Sequence, residues 1–157
     1  MGEEATLALG AALAPIVTPG MKIYLHGELG AGKTTFTRGL LRALGHKGPV
    51  KSPTYTLVEI YVNSAYILYH FDFYRLNDPE EWREAGLDEH FNEHSVCLVE
   101  WPEKAQGRLP APDIEARLTF DASGSGDSRT VDLQGFSERG ERCLEALGAL
   151  GPLLPTQ

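Results

Sequence analysis

Two cysteines in 157 residues, Cys97 and Cys143, are too few for a secreted scaffold held by disulfides, and neither stands in a Cys-x-x-Cys pair. A reduced, cytoplasmic setting is the expectation. No apolar run nears the roughly 18 residues that a membrane span needs, and the opening Met1-Gly2-Glu3-Glu4 lacks the basic region of a signal peptide. Positive charge is also scarce: Lys and Arg number 14 against 22 Asp and Glu, a formal net charge of −8. That deficit opposes non-specific contact with phosphate backbones, so any RNA partner should be reached through another protein. The five histidines (His26, His46, His70, His90 and His94) show no spacing with acids or cysteines that would build a zinc site. An Asn-Lys-x-Asp segment for reading guanine is missing, which argues against a GTPase. An Arg-rich insertion of the kind that forms a kinase lid is missing too. No repeat of fixed period is visible.

What is present suits one compact domain of 157 residues with an apolar content of 42%, enough for a sizeable core. Leu9, Leu13, Ile16 and Val17 recur at helical spacing, predicting a helix from about residue 5 to Pro19-Gly20 whose start Thr6 caps or nearly caps. Residues 22–26 read as a strand, and Phe36, Leu40, Leu41 and Leu44 as one face of a second helix stopped by Gly45. Residues 55–62 and 66–71 are strand-like runs joined by a turn at Asn63-Ser64. Asp78-Pro79-Glu80-Glu81 has the form of a capping box and predicts a helix there. Residues 95–99 read as a buried strand, and 114–120 and 129–133 as two late strands flanking the Gly/Ser-rich stretch 122–127. Cys143, Leu144, Leu147 and Leu150 line a last helix. The mixture predicts an α/β domain with a central mixed sheet flanked by helices.

Gly27 and Gly32 stand four residues apart and are followed by Lys33-Thr34, the Walker A spacing. The glycines, Gly30 among them, let the backbone curl so that successive N–H groups face phosphate oxygens. Lys33 brings a point charge to the β and γ phosphates. The Thr34 hydroxyl is a hard oxygen ligand suited to Mg²⁺, and the helix that begins near Lys33 adds the positive end of its dipole. A chance Gly-rich turn is the plain alternative. The strand-like run before the loop and the amphipathic helix after it weigh against that, and ATP with Mg²⁺ is the expected ligand.

A P-loop site needs a second strand that ends beside the loop and offers a carboxylate. Two strands qualify: residues 96–100, ending in Glu100, and residues 68–72, ending in Asp72. Both acids, with Lys33, are the expected catalytic groups, since phosphoryl transfer to water asks chiefly for positioning and charge neutralisation. The pattern leaves open whether Asp72 acts as a base or as an acid of the metal's water shell. Ser52-Pro53-Thr54 stands where P-loop switch segments sense the γ-phosphate, and a simple turn around Pro53 accounts for it equally well. Trp101 reads as a core residue in preference to a base-stacking one, Cys97 as core, and Arg75 as either phosphate-facing or in a surface salt bridge.

Taken together, the segments 27–35, 50–59, 69–76 and 96–102 resemble, in order and spacing, the TsaE (YjeE) family, the ATPase subunit of bacterial threonylcarbamoyladenosine modification of tRNA. The resemblance runs over roughly residues 6–133; the stretch 136–157 matches no pattern of the family. It implies a P-loop fold with a mixed sheet, and slow ATP hydrolysis stimulated by a partner: the threonylcarbamoyl transferase together with its dimerising subunit. Tested residue by residue, it implies nucleotide contacts at Thr6, at Gly27, Glu28, Leu29, Gly30, Ala31, Gly32, Lys33, Thr34 and Thr35, at Ser52 and Thr54, and at Arg129. It further implies Mg²⁺ ligands at Thr34 and Glu100, and an acid needed for hydrolysis at Asp72. A small-molecule kinase and a nucleotide sensor that does not hydrolyse are the alternative readings.

Overall fold

Strand β4 (Ser95–Glu100) is buried along its whole length, and the sheet is built outward from it and from β1 (Lys22–His26). A computed structural model describes residues 2–121 and 128–149, and the Gly/Ser-rich stretch 122–127 lies outside these, as does Leu150. The remaining strands are β2 (Val58–Val62), β3 (Ile67–Asp72), β5 (Ile114–Phe120) and β6 (Arg129–Gly135), and the six form one sheet in the order β2-β3-β4-β1-β5-β6. β3, β4, β1 and β5 are mutually parallel, while β2 and β6 close the two edges antiparallel to their neighbours. Parallel strands are covered on both faces, which is why β3 and β4 read as near-continuous apolar runs.

Helices α1 (Glu3–Leu13), α2 (Lys33–Ala43) and α4 (Glu138–Ala149) send Leu9, Leu13, Phe36, Leu40, Leu41, Cys143 and Leu147 into one core, against Ile23, Leu25, Leu98 and Leu118 of the sheet. On the opposite face an aromatic cluster of Tyr69, Phe71, Phe73 and Trp82 buries the second side. The short helix α3 (Glu81–Glu84) contributes that Trp82.

The α1–α2 contact is unusually close. A Cβ on Gly39 would stand 2.1 Å from the Leu7 carbonyl oxygen, and one on Gly10 would stand 2.1 Å from the Phe36 carbonyl oxygen. Only glycine allows the two backbones to meet there.

Three expectations are corrected. The first helix stops at Leu13, not near Pro19, because Pro15 has no N–H to bond back to the Ala11 carbonyl. The chain then turns through Ile16 and Val17, whose amides both reach the Leu13 carbonyl. Thr6 does not cap that helix; Gly2 is the N-cap, and the Thr6 hydroxyl donates to the Gly2 carbonyl at 3.1 Å. At Asp78 the reciprocal contacts do form, with Asp78 N–H donating to Glu81 Oε1 at 3.0 Å and Glu80 N–H to Asp78 Oδ1 at 2.9 Å, yet they start only the four-residue α3. The turn at Asn63 forms with the Asn63 side chain accepting the amides of Ala65 and Tyr66. The last helix forms as expected: α4 follows residue 136, where no family pattern matched, and its Cys143 and Leu147 complete the core.

Candidate functional site

β1 sits between β4 and β5, and the chain winds first to one side of it and later to the other, so the strand order switches at the carboxyl end of β1. Such switch points open a crevice above the strands. The loop 27–32 leaves β1 at that point and leads into α2. Gly32 is its N-cap, with φ 106°, a left-handed conformation costly for any residue bearing a Cβ. A Cβ there would also meet the Arg129 side chain at 3.4 Å.

The Lys33 side chain curls back over this loop, donating to the carbonyls of Gly27 at 2.5 Å and Glu28 at 2.9 Å. Its ammonium lies 4.4 Å from the centre of the Trp101 ring. Burial draws the Lys33 pKa below the ordinary lysine value, against the opposing pull of Glu100, Asp72, Glu103 and Glu28. A desolvated cation whose direct contacts are two carbonyls and a π face is poised to exchange them for an anion.

Beneath the head of α2 the two acids arrive side by side. β3 and β4 pair in parallel with Asp72 opposite Glu100, so both carboxyls emerge on the same face at the same height. Glu100, 2% exposed, is fully engaged. Its Oε1 accepts from the Thr34 hydroxyl at 3.1 Å, and its Oε2 from the Ser52 hydroxyl at 3.0 Å and from His70 Nε2 at 2.9 Å. Burial alone would raise its pKa; the bonds and charge of His70, with the hydroxyls of Ser52 and Thr34, outweigh it and hold the carboxyl below the usual range. Asp72 accepts from Ser52, from the Thr54 hydroxyl at 3.4 Å and from the Tyr74 amide at 2.8 Å. The single Ser52 hydroxyl thus lies within reach of both acids and donates to one of them at a time.

Thr34, Ser52, Thr54, Asp72 and Glu100 are therefore brought together, with Lys33 over the same loop. Arg129, at the start of β6, reaches the loop from the other side, its Nη2 3.4 Å from the Gly30 carbonyl and its buried Nε without a partner among the described residues. Glu28, Leu29 and Gly30 form the exposed outer rim of the loop, Ala31 its buried inner side, and Thr35 the first turn of α2. Thr6 is not brought to the loop. It lies within α1 beside Leu7, which packs on Gly39, six residues or about 9 Å along α2 from Lys33.

Two further residues depart from expectation. Trp101 is only half-buried, because φ 58° and ψ 48° swing it out of the strand's alternation and set its ring beside Lys33 and 5.0 Å from that of Tyr74. Arg75 forms no salt bridge among the described residues; its guanidinium covers the exposed Tyr55 ring at 4.5 Å, and its Nη2 donates to the Tyr55 hydroxyl at 3.3 Å. Cys97 is core as expected, and burial pushes its thiol up to about 12.

His70 was overlooked because it had been weighed only as a metal ligand. Strand alternation carries the missing signal, since His70 shares a face with Asp72 two residues on.

Where the loop leaves β1, His26 stands between two acids, with Nδ1 3.5 Å from Glu103 Oε2 and Nε2 3.4 Å from Glu115 Oε1. The contact with Glu103 raises the imidazole pKa above 6.5, with burial opposing and Glu115 adding to the rise. A raised histidine pKa stabilises the fold fully below the unfolded value of 6.5, and that contribution is lost as pH climbs through the folded value. The melting temperature of wild type should accordingly exceed that of His26→Ala most at pH 5.5–6, and the gap should narrow as pH rises above 6.5; thermal melts across that range check it. An unchanging gap would assign His26 a packing role only.

The site can be compared with known proteins. The family model for Threonylcarbamoyl adenosine biosynthesis protein TsaE matches residues 1–131. The tRNA threonylcarbamoyladenosine biosynthesis protein TsaE of Haemophilus influenzae is 48% identical over 124 residues, spanning 79% of this chain and 76% of that protein. The protein of the same name from Bacillus subtilis is 41% identical over 135 residues, spanning 80% and 84%. Among solved structures, the crystal structure of Bacillus subtilis YdiB superposes with a TM-score of 0.77 at 32% identity, over 97% of this chain and 93% of that one.

Proposed function

This chain belongs to the TsaE family of threonylcarbamoyl adenosine biosynthesis proteins, and from that membership we propose that it binds ATP with Mg²⁺ at the loop 27–35 and hydrolyses it to ADP and phosphate. We further propose that, in the cytoplasm, turnover is coupled to the threonylcarbamoyl transferase and its dimerising subunit, with tRNA met only through them. The observation that carries the reading is the meeting of Thr34 and Glu100 at the head of α2, within the arc of the loop and under the lysine.

The residues fit a magnesium-bound triphosphate. A hydroxyl and a carboxylate lie 3.1 Å apart as hard oxygen donors, the Lys33 ammonium is held by two carbonyls beside the Trp101 ring, and the buried Arg129 Nε has no partner among the described residues. Magnesium, when bound, would supply charge neutralisation to the phosphates. Thr34 and Glu100 would hold it. Lys33 would trade the Gly27 and Glu28 carbonyls for phosphate oxygens, and the loop amides and the α2 N-terminus would receive the negative charge. Asp72, fixed by the Tyr74 amide and by Ser52 and Thr54, is placed to orient a water or a metal-bound water. The formal charge of −8 agrees with a protein that meets tRNA second-hand. No described helix is long and apolar enough to cross a membrane.

The test is a titration with a fluorescent ADP analogue, with and without Mg²⁺, followed by phosphate release with and without the purified transferase and its dimerising subunit. Binding, slow release alone and a large change in rate with the partners are expected. Absence of adenine-nucleotide binding in the presence of magnesium would overturn the proposal; phosphate appearing on a small acceptor would reassign the chain as a kinase.

A further inference from the structure

His70 is a fully buried imidazole whose one polar partner among the described residues is Glu100 Oε2, at 2.9 Å, while its Nδ1 has none. Putting an imidazole into a sheet interior costs free energy that Leu or Phe would avoid, so its use there calls for something that an apolar side chain cannot do. The bond supplies it. With a carboxylate as acceptor, Nε2 is the nitrogen that carries hydrogen, and it fixes one oxygen of Glu100. The other, Oε1, is left turned toward Thr34.

Ser52 also holds Oε2, but from a loop. His70 does so from β3, whose hydrogen bonds to β4 set the two residues in register: His70 pairs with Leu98, two positions before the Asp72–Glu100 pair. Its reach to Glu100 is therefore a diagonal contact on one face of the sheet, rigid wherever the sheet is rigid.

We infer that His70 is a positioning residue for the metal: it aims the Glu100 carboxylate so that Oε1 faces the Thr34 hydroxyl. The inference rests on the reading of Thr34 and Glu100 as magnesium ligands. Hydrogen bonds from outer groups to metal-ligating carboxylates typically change metal affinity by about 10- to 100-fold when removed, so the effect should fall on the metal and leave the nucleotide's own contacts with the loop intact.

Four proteins separate the possibilities: wild type, His70→Leu, His70→Gln and His70→Asn. Glutamine carries an amide nitrogen about as far out as Nε2, whereas that of asparagine sits at the level of Nδ1 and falls short of Glu100. Each protein is saturated with ADP and titrated with Mn²⁺, the free ion being counted by electron paramagnetic resonance. ADP affinity in EDTA and the thermal melt are measured alongside. Expected are an Mn²⁺ affinity about tenfold or more weaker in His70→Leu and His70→Asn, recovery toward wild type in His70→Gln, and metal-free ADP affinity nearly constant throughout. If His70→Leu does not fold, the Gln and Asn variants still decide the matter.

Equal Mn²⁺ affinity across the folded variants would overturn the inference. So would a Gln variant no better than Asn, or a parallel fall in metal-free ADP affinity, which would make His70 a packing residue. A wild-type protein that binds no ADP at all would instead strike at the proposed function, so the two failures are distinguishable.

Discussion

Replacing Glu100 by alanine should cut ATP turnover by ~100-fold or more, about 2.7 kcal/mol of transition-state stabilisation, while metal-free ADP still binds. Glu100 is the acid in contact with Thr34, and its loss removes a hard ligand from the proposed Mg²⁺. It also leaves the Thr34 hydroxyl and the buried His70 imidazole without that acceptor, while the Ser52 hydroxyl keeps Asp72. The comparison therefore includes Glu100→Gln, which keeps one acceptor oxygen and removes the charge, and a thermal melt of each variant. Asp72→Ala should lose turnover to a similar extent, because Asp72 fixes the position of Ser52 and Thr54 as well as any water between them. Single-turnover phosphate release reads both. Wild-type rates in the two alanine variants would refute the roles given to these acids.

The second large effect is on stability. Adding one methyl at Gly39 brings a carbon to within 2.1 Å of the Leu7 carbonyl oxygen, a backbone atom that cannot swing aside, so α1 must move off α2. Gly39→Ala should destabilise by ~3 kcal/mol, the upper end of ordinary overpacking. For a chain of this size that lowers the melting temperature by roughly 6–12 °C. Helix propensity favours alanine by about 1 kcal/mol in an exposed position, so the sign of the measured change decides which effect wins. A melting temperature at or above wild type would show that α1 and α2 can separate without loss. Gly10→Ala, the mirror-image contact at the Phe36 carbonyl, should behave alike.

These glycines also mark where the sequence stopped being legible. The spacing of Leu9, Leu13, Phe36, Leu40 and Leu41 showed that two helices bury a face, and that part was found. Which backbone atoms meet depends on the crossing of the helices, and no local pattern encodes it. The turn at residues 27–34 was legible because its features are local: the glycines that bend the backbone, the cation and the hydroxyl lie within eight residues. The acids were half legible. Each strand ended in one, but only the parallel pairing of Asp72 with Glu100 makes them a pair.

His70 and Trp101 were misjudged for opposite reasons. His70 looked like an isolated imidazole because its partner lies thirty residues on, across a strand boundary. Trp101 looked like core because it follows an apolar strand, and the left-handed backbone that turns it toward Lys33 is invisible in composition. The end of α1 was misplaced because Val17 continues the apolar spacing and is indeed buried, although Pro15 had already broken the helix.

The side-by-side arrival of Asp72 and Glu100 has one more consequence. Neighbouring strands in a sheet stand about 4.8 Å apart, and the ladder of β3 on β4 holds them at that spacing along its full length. The spacing of the two strand ends that carry these carboxyls is thus set by backbone bonds formed when the chain folds. Any substitution that slackens the β3–β4 ladder should detune the proposed ion seat while the molecule is still folded, so loss of the proposed activity should precede loss of structure as the sheet weakens.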